Sequence, residues 1–333
     1  MGRRWAASVS AVLAAVALAA CAPADLQPTP PTPLASASTA APNRTFTIAV
    51  IPDTQQETWS DDDARGRERS EWLVANAERL NLAFVTHVGD VVDWGDVAPQ
   101  QYVRAQAALA PLVGRVPYSL SIGNHDTAAV CRGGSACPGV DASVAVRDTA
   151  AFNAAFPVSD FANVEGWFED GKVDNTYSTF TAGGLRWMVL NLELWPREAA
   201  VDWAEEVVAA HPGHNVIVVT HSYLEADGSI GTTNGGYGAT SPQYVFDNLI
   251  RRFPNIQLVL SGHTGEAASR VDTGIEGNRI LSLLQGFHSR TTNPVRLITV
   301  DPDRRVITSS VYAPRTDEVL VAEATTDGLE FVG

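Results

Sequence analysis

The sequence predicts an α/β fold, with a parallel sheet built first and antiparallel strands added towards the end. Three observations carry this prediction. Short apolar runs of strand length recur along the chain, amphipathic stretches of helix length separate the earlier runs, and the last runs follow one another without a helix between them. A chain of 333 residues that is 45% hydrophobic and 18% charged holds enough apolar side chains for a large core. That excludes a disordered tail or a small disulfide-stapled module.

The elements follow in order. Arg3 and Arg4 precede an Ala-rich apolar run from Val9 to Ala20, too short to span a membrane comfortably and shaped like a secretory signal. It ends in Leu18-Ala19-Ala20-Cys21, which resembles a bacterial lipobox and implies a lipidated Cys21 as the mature N-terminus. Residues 1–20 are therefore expected to be a lipoprotein signal, and 21–43, rich in Pro, Ala, Ser and Thr, a spacer unable to bury a core. The expected location is the outer face of a bacterial cell membrane, with the lipid as the membrane contact. The folded part is expected to be one domain over 44–333.

Within it, Phe46–Ile51, Leu82–Thr86, Tyr118–Ile122, Trp187–Leu192, Val216–Val219 and Ile256–Leu260 read as buried strands. Helical patterns lie at Arg67–Leu80, Gln100–Leu112, Glu198–Ala210 and Gln243–Arg252. Arg279–Leu284, Val295–Val300 and Val306–Tyr312 are expected to pair antiparallel. Residues 127–174 break the rhythm and read as a loop insertion. In it, Cys131 and Cys137 flank a glycine-containing turn, and with Cys21 lipidated they are the cysteines left to pair in an exported protein. The loop between them is short, so a bridge there mainly shapes the loop. Residues 222–242, rich in Gly and Thr, read as a candidate lid.

Lys+Arg total 23 against 38 Asp+Glu, a net charge of −15, so the overall field repels polyanions and a nucleic-acid-coating role is excluded. Five strand candidates nevertheless end in polar residues suited to metal or acid–base work: Asp53-Thr54-Gln55, Gly89-Asp90-Val91-Val92-Asp93, Gly123-Asn124-His125-Asp126, His221, and Gly262-His263-Thr264-Gly265. Ligands of open α/β sheets bind beyond the carboxyl ends of the strands, so five such ends can converge on one crevice. His87, inside a strand, reads as a packed histidine, and Glu193 as the partner of Arg197. Gly-x-Ser-x-Gly, P-loop and His-Glu-x-x-His patterns are absent.

In order and spacing these runs resemble the calcineurin-like metallophosphoesterases, over about residues 47 to 265. The resemblance implies a central β-sandwich flanked by helices and a site for two divalent metal ions. Asp90 would bridge both ions and Asp53 would bind the first, while Asn124, His221 and His263 would bind the second. His125 corresponds to the family's proton donor and Asp93 to its supporting carboxylate. Such donors suit Mn, Fe or Zn, and two dications make a locally positive pocket in an acidic protein.

Two positions depart from the family pattern. Gln55 stands where its first motif has histidine, and Gly265 stands in place of the last histidine of its fifth, so both departures fall on the first metal. Gln55 still offers an amide oxygen. His288, just after the apolar run Ile280–Leu284, is a candidate for the remaining coordination position, provided that strand pairs beside the site. The expected activity is hydrolysis of a phosphate ester by metal-bound hydroxide, a phosphomonoester in preference to a diester. The substrate is either a small phosphate ester or a phosphorylated macromolecule. A binding protein that keeps the fold without catalysis is the alternative.

Overall fold

The computed structural model describes residues 44–333, so the signal, Cys21 and spacer expectations lie outside the described residues. In chain order the elements are β1 (Phe46–Ile51), α1 (Arg65–Ala75), α2 (Ala77–Leu80), β2 (Leu82–His87), α3 (Gln100–Leu109), β3 (Tyr118–Leu120), β4 (Val130–Cys131), β5 (Ser135–Ala136), α4 (Ala142–Ala145), α5 (Ala150–Ala155), β6 (Val164–Trp167), β7 (Thr176–Ala182), β8 (Leu185–Leu192), α6 (Glu198–Ala210), β9 (Asn215–Thr220), α7 (Pro242–Asn248), β10 (Ile256–Ser261), β11 (Ala267–Thr273), β12 (Arg279–Gln285), β13 (Val295–Asp301), β14 (Val306–Ala313) and β15 (Glu318–Thr326).

Two sheets form, one in the order β15-β14-β13-β1-β2-β3 and the other β11-β12-β10-β9-β8-β7-β6. The period-2 alternation of the apolar strands assigns their faces. Phe46, Ile48 and Val50 of β1 meet Trp187, Val189, Ile217, Val219, Leu258 and Leu260 of the other sheet in a shared inner core. The intervening Ala49 and Ile51 pack outward with Leu73 of α1 and Tyr102, Ala105 and Leu109 of α3. On the far side, Met188, Leu190 and Leu192 of β8 pack with Val201, Ala204 and Val208 of α6. These strands are apolar on both faces because each sheet is covered on both. The result is a sandwich with helices outside, the mixed α/β architecture the sequence predicts.

Strands β1, β2 and β3 run parallel, as do β8, β9, β10 and β12. The last of these corrects the expected antiparallel pairing of Arg279–Leu284. The chain leaves β10, runs along the sheet edge as β11, and returns as β12 antiparallel to β11 and parallel to β10. A strand replaces the usual helix in that crossover. β13 and β14 pair antiparallel as expected.

Other boundaries move for local reasons. The expected helix over 67–80 breaks at Asn76, whose side-chain amide donates to Trp72 O at 2.8 Å and so competes with the helical ladder. The insertion at 127–174 is not featureless, holding the β4–β5 hairpin, two short helices and β6. Cys131 and Cys137 are bridged, with Cα atoms 4.9 Å apart. The candidate lid is pinned at its start, where Tyr223, Leu224 and Ile230 are buried and Leu224 bridges Ile230.

Candidate metal centre and acid group

Six parallel strands point their carboxyl ends at one crevice, and every candidate residue lies just beyond such an end. Asp53 and Gln55 follow β1, Asp90 follows β2, and Asn124 and His125 follow β3, all from the first sheet. His221 follows β9, His263 follows β10 and His288 follows β12, all from the second. Backbone hydrogen bonds lock the ends together: Asp53 N donates to Gly286 O at 3.2 Å, Thr54 N to Asp90 O at 3.0 Å, and Gly262 N to His221 O at 2.9 Å.

Two groups of ligand atoms result, Asp90 with His221 and His263, and Asp53 with Asp90 and His288, each with its atoms within 4.8 Å of one another. Asp90 belongs to both. Its backbone is left-handed, with φ 52°, and His263 is likewise at φ 74°. Non-glycine residues adopt this region at a cost that the surroundings must offset, and such sites cluster where function fixes a side chain. A Cβ at Gly123 would lie 2.0 Å from Asp90 Oδ1, so only glycine lets β3 approach this carboxylate.

Burial and the neighbouring histidines set the electrostatics of the carboxylates. Burial pushes Asp53 up. Burial acts the same way on Asp90, but His221 and His125 outweigh it and hold that carboxyl well below its usual range. His221 has the converse balance: burial opposes its charge, yet Asp90 and Asp53 raise it to about 9. Its Nδ1 lies 2.9 Å from Val88 O, so Nδ1–H donates there and Nε2 faces the site. Nε2 is 3.1 Å from Asp90 Oδ2 but makes no hydrogen bond there. Burial, reinforced by His221, lowers His263 to about 4, which keeps it a neutral imidazole.

The residues fit divalent metals. Asp53 Oδ1, Gln55 Oε1, Asn124 Oδ1 and His221 Nε2 are buried polar atoms without hydrogen-bond partners, an arrangement that is costly unless something else binds them. All four sit on residues of the two clusters or beside them, and their O and N donors suit Mn, Fe or Zn. On the first-metal side, His288 Nε2 lies 2.8 Å from Asp53 Oδ2 and 3.4 Å from Gln55 Nε2. The parallel pairing of β12 brings it there. At Gly265 a Cβ would meet Ala226 Cβ at 2.9 Å, so the local packing leaves no room for a histidine side chain there.

Beside the clusters, His125 Nδ1 contacts Asp93 O at 2.7 Å and Asp93 Oδ1 at 2.9 Å, while Nε2 is 3.9 Å from Asp90 Oδ2. Burial opposes its charge, but Asp90 and Asp93 prevail and raise it to about 10. Asp93 is held in turn by the Trp59 indole N–H, and its own N–H donates to Gln101 Oε1 at 3.1 Å. His87 is packed: Gly89 N donates to Nδ1, and Nε2 lies 2.9 Å from the Thr54 hydroxyl. Glu193 pairs with Arg197, at 2.8 Å.

Sequence reasoning missed the role of Asp126. Its buried carboxylate accepts from Val91 N (3.2 Å), Val92 N (2.9 Å) and Gly123 N (2.9 Å), tying the Asp90 turn to the end of β3. Its place at the close of Gly123-Asn124-His125-Asp126 was the available signal. Trp59 had none.

A family model described as calcineurin-like phosphoesterase matches residues 46–267. The Bacillus subtilis (strain 168) protein YvnB is 24% identical over 265 residues, covering 74% of this chain, and the chain spans 18% of that relative's length. Among solved structures, a dimetal phosphatase from Danio rerio is similar with a TM-score of 0.49 and 13% identity over 84% of this chain and 98% of that one. The NAD nucleotidase of Haemophilus influenzae has a TM-score of 0.45 and 11% identity, covering 85% of this chain and 49% of its own.

Proposed function

The chain belongs to the calcineurin-like phosphoesterase family, and from that premise we propose that it hydrolyses a phosphate monoester, with Asp53, Gln55 and His288 holding one divalent ion, Asn124, His221 and His263 a second, and Asp90 both. The observation that supports this most is the pair of ligand clusters sharing Asp90. Two dications bound there supply Lewis-acid polarisation of the phosphoryl group and a nucleophile at neutral pH.

The chain's own residues divide the remaining work. Asp93 occupies Nδ1 of His125 and leaves Nε2–H as the proton for the departing alkoxide. Dications held in the clusters would oppose the charge of that imidazole, drawing its pKa down towards the range where a general acid works best. Trp59 and Gln101 fix Asp93, and Asp126 fixes the turn carrying Asp90. Arg290 supports the choice of monoester. It stands two residues beyond His288 with its guanidinium 5.2 Å from the Trp59 ring centroid, and no carboxylate pairs with it among the described residues. A cation at the rim favours a dianion over the monoanion of a diester. We also propose that residues 1–20 direct export and that lipid on Cys21 anchors the enzyme at the membrane, a reading supported by the residue pattern there.

The test is turnover of an aryl monoester, an aryl diester, a nucleotide and a phosphopeptide, with Mn, Fe, Zn and Mg supplied in turn and bound metal measured. Monoester turnover dependent on bound metal is expected. Absence of turnover from fully metal-loaded protein would leave the binding-protein alternative. His125→Ala should keep its metal and lose about 10²–10⁴-fold in rate on a poor leaving group, and much less on p-nitrophenolate. Equal losses on the two would remove His125 from the acid role.

A further inference from the structure

The hairpin that opens the 127–174 segment lies beside the acid group. β4 and β5 pair only Val130 with Ala136 and Cys131 with Ser135, a ladder too short to hold its shape alone. The Cys131–Cys137 bridge closes it covalently. Its base is anchored, with Ala129 and Val130 buried and Cys137 N donating to Ala129 O at 3.0 Å. Its tip carries Gly134 in the left-handed region, φ 76°, where a Cβ would lie 3.3 Å from His125 Cε1 and 3.8 Å from Asp93 Oδ1. The tip thus faces the imidazole edge between its two nitrogens with room for nothing larger than glycine's hydrogen, beside the carboxylate that engages Nδ1.

We propose that the disulfide-closed hairpin positions His125 for proton donation: the bridge fixes the tip, and the tip holds the ring so that Nε2 faces the leaving group. Gly134 and the two cysteines are positioning residues, which reach the reaction only through His125. This rests on the acid role assigned to His125 above. A substrate whose leaving group needs a proton depends on the hairpin, and one whose leaving group departs as a stable anion does not.

The experiment compares Cys131→Ser/Cys137→Ser and Gly134→Ala with the wild-type full chain. The second variant keeps the bridge and crowds only the tip. Three quantities are read: kcat/KM for an alkyl phosphate, kcat/KM for p-nitrophenyl phosphate, and bound metal. The His125 Cε1–H resonance is also followed in metal-free protein, assigned by its disappearance in His125→Gln. Both variants should lose at least about tenfold on the alkyl ester, a fraction of the range for general acid catalysis, stay within about threefold on the aryl ester, keep their metal, and shift the resonance. A small dithiol gives the cystine two electrons and two protons and itself closes to a cyclic disulfide. Treating wild-type protein with it should produce the same shift, reversed on reoxidation.

An unmoved resonance with an unchanged ratio of the two esters overturns the proposal. So does an equal loss on both esters, which marks a merely structural role. If His125→Ala itself shows equal losses on the two esters, the acid reading falls and takes the proposal with it. If His125→Ala discriminates between the esters and the hairpin variants do not, the proposal falls alone.

Discussion

Asp126→Ala removes the acceptor of three buried backbone N–H groups without touching any proposed metal ligand. Each buried donor left without a partner costs about 1–3 kcal/mol. With some relief from entering water, the three at Val91, Val92 and Gly123 cost roughly 3–6 kcal/mol, a large part of the ~5–15 kcal/mol that stabilises a typical domain. Asp126→Asn is milder for a reason visible in the geometry. Oδ2 accepts from two donors and Oδ1 from one, so an amide turned with its oxygen at the Oδ2 position loses only the Val92 bond. That loss is about 1–3 kcal/mol. It is offset because burial and the neighbouring Asp90 raise the Asp126 carboxyl to about 7, and asparagine removes the repulsion. Calorimetric unfolding of holoprotein, with bound metal measured on the same samples, should rank wild type above Asn above Ala, and the Ala variant should also hold less metal because the Asp90 turn is released. An Ala variant that unfolds as wild type does and retains its metal would refute the reasoning. So would an Asn variant less stable than Ala.

Three further outcomes are expected. Asp90→Asn should abolish turnover and lower metal content at both positions, since one carboxylate serves both clusters; full metal content by mass spectrometry would contradict the shared-ligand reading. His288→Ala and Gln55→Ala should each weaken one metal more than the other, giving two separated steps in a metal titration of the apoprotein, and an unsplit titration would count against their placement on the first ion. Cys21→Ser should move the protein from the membrane fraction to the soluble fraction, whereas retention of the mutant after a carbonate wash would refute the lipid anchor.

The strands legible in the sequence are those apolar on both faces, such as β1, β9 and β10, because a doubly covered strand leaves a continuous apolar run. β11 and β15 run along sheet edges and are largely exposed, and β6 and β7 are rich in polar and small residues, so nothing in their pattern separates them from loops. Missing β11 is also what hid the direction of β12. The metal-cluster candidates were legible because ligand chemistry confines them to a few residue types at strand ends. The groups that hold those residues were not. Asp126 works through its neighbours' backbone, Trp59 by reaching Asp93 across 34 positions, and Gly134 by having no side chain, and none of these leaves a periodic or chemical trace.

The donors of the centre are divided between the two halves of the sandwich: the carboxylates and amides come from one sheet and the three imidazoles from the other. A cation bound there is consequently a cross-link between layers whose shared inner core is apolar. Its binding energy adds to the cohesion of the sandwich by mass action, about 2.7 kcal/mol for each ion at a hundredfold excess over its Kd. The dependence also runs the other way. A substitution at Val219 or Leu260, buried between the layers, that lets one sheet slide on the other by about 1 Å, a displacement large enough to spoil an aligned site, would be felt at the ions while every strand still paired. In this architecture the interior packing is a dimension of the coordination sphere.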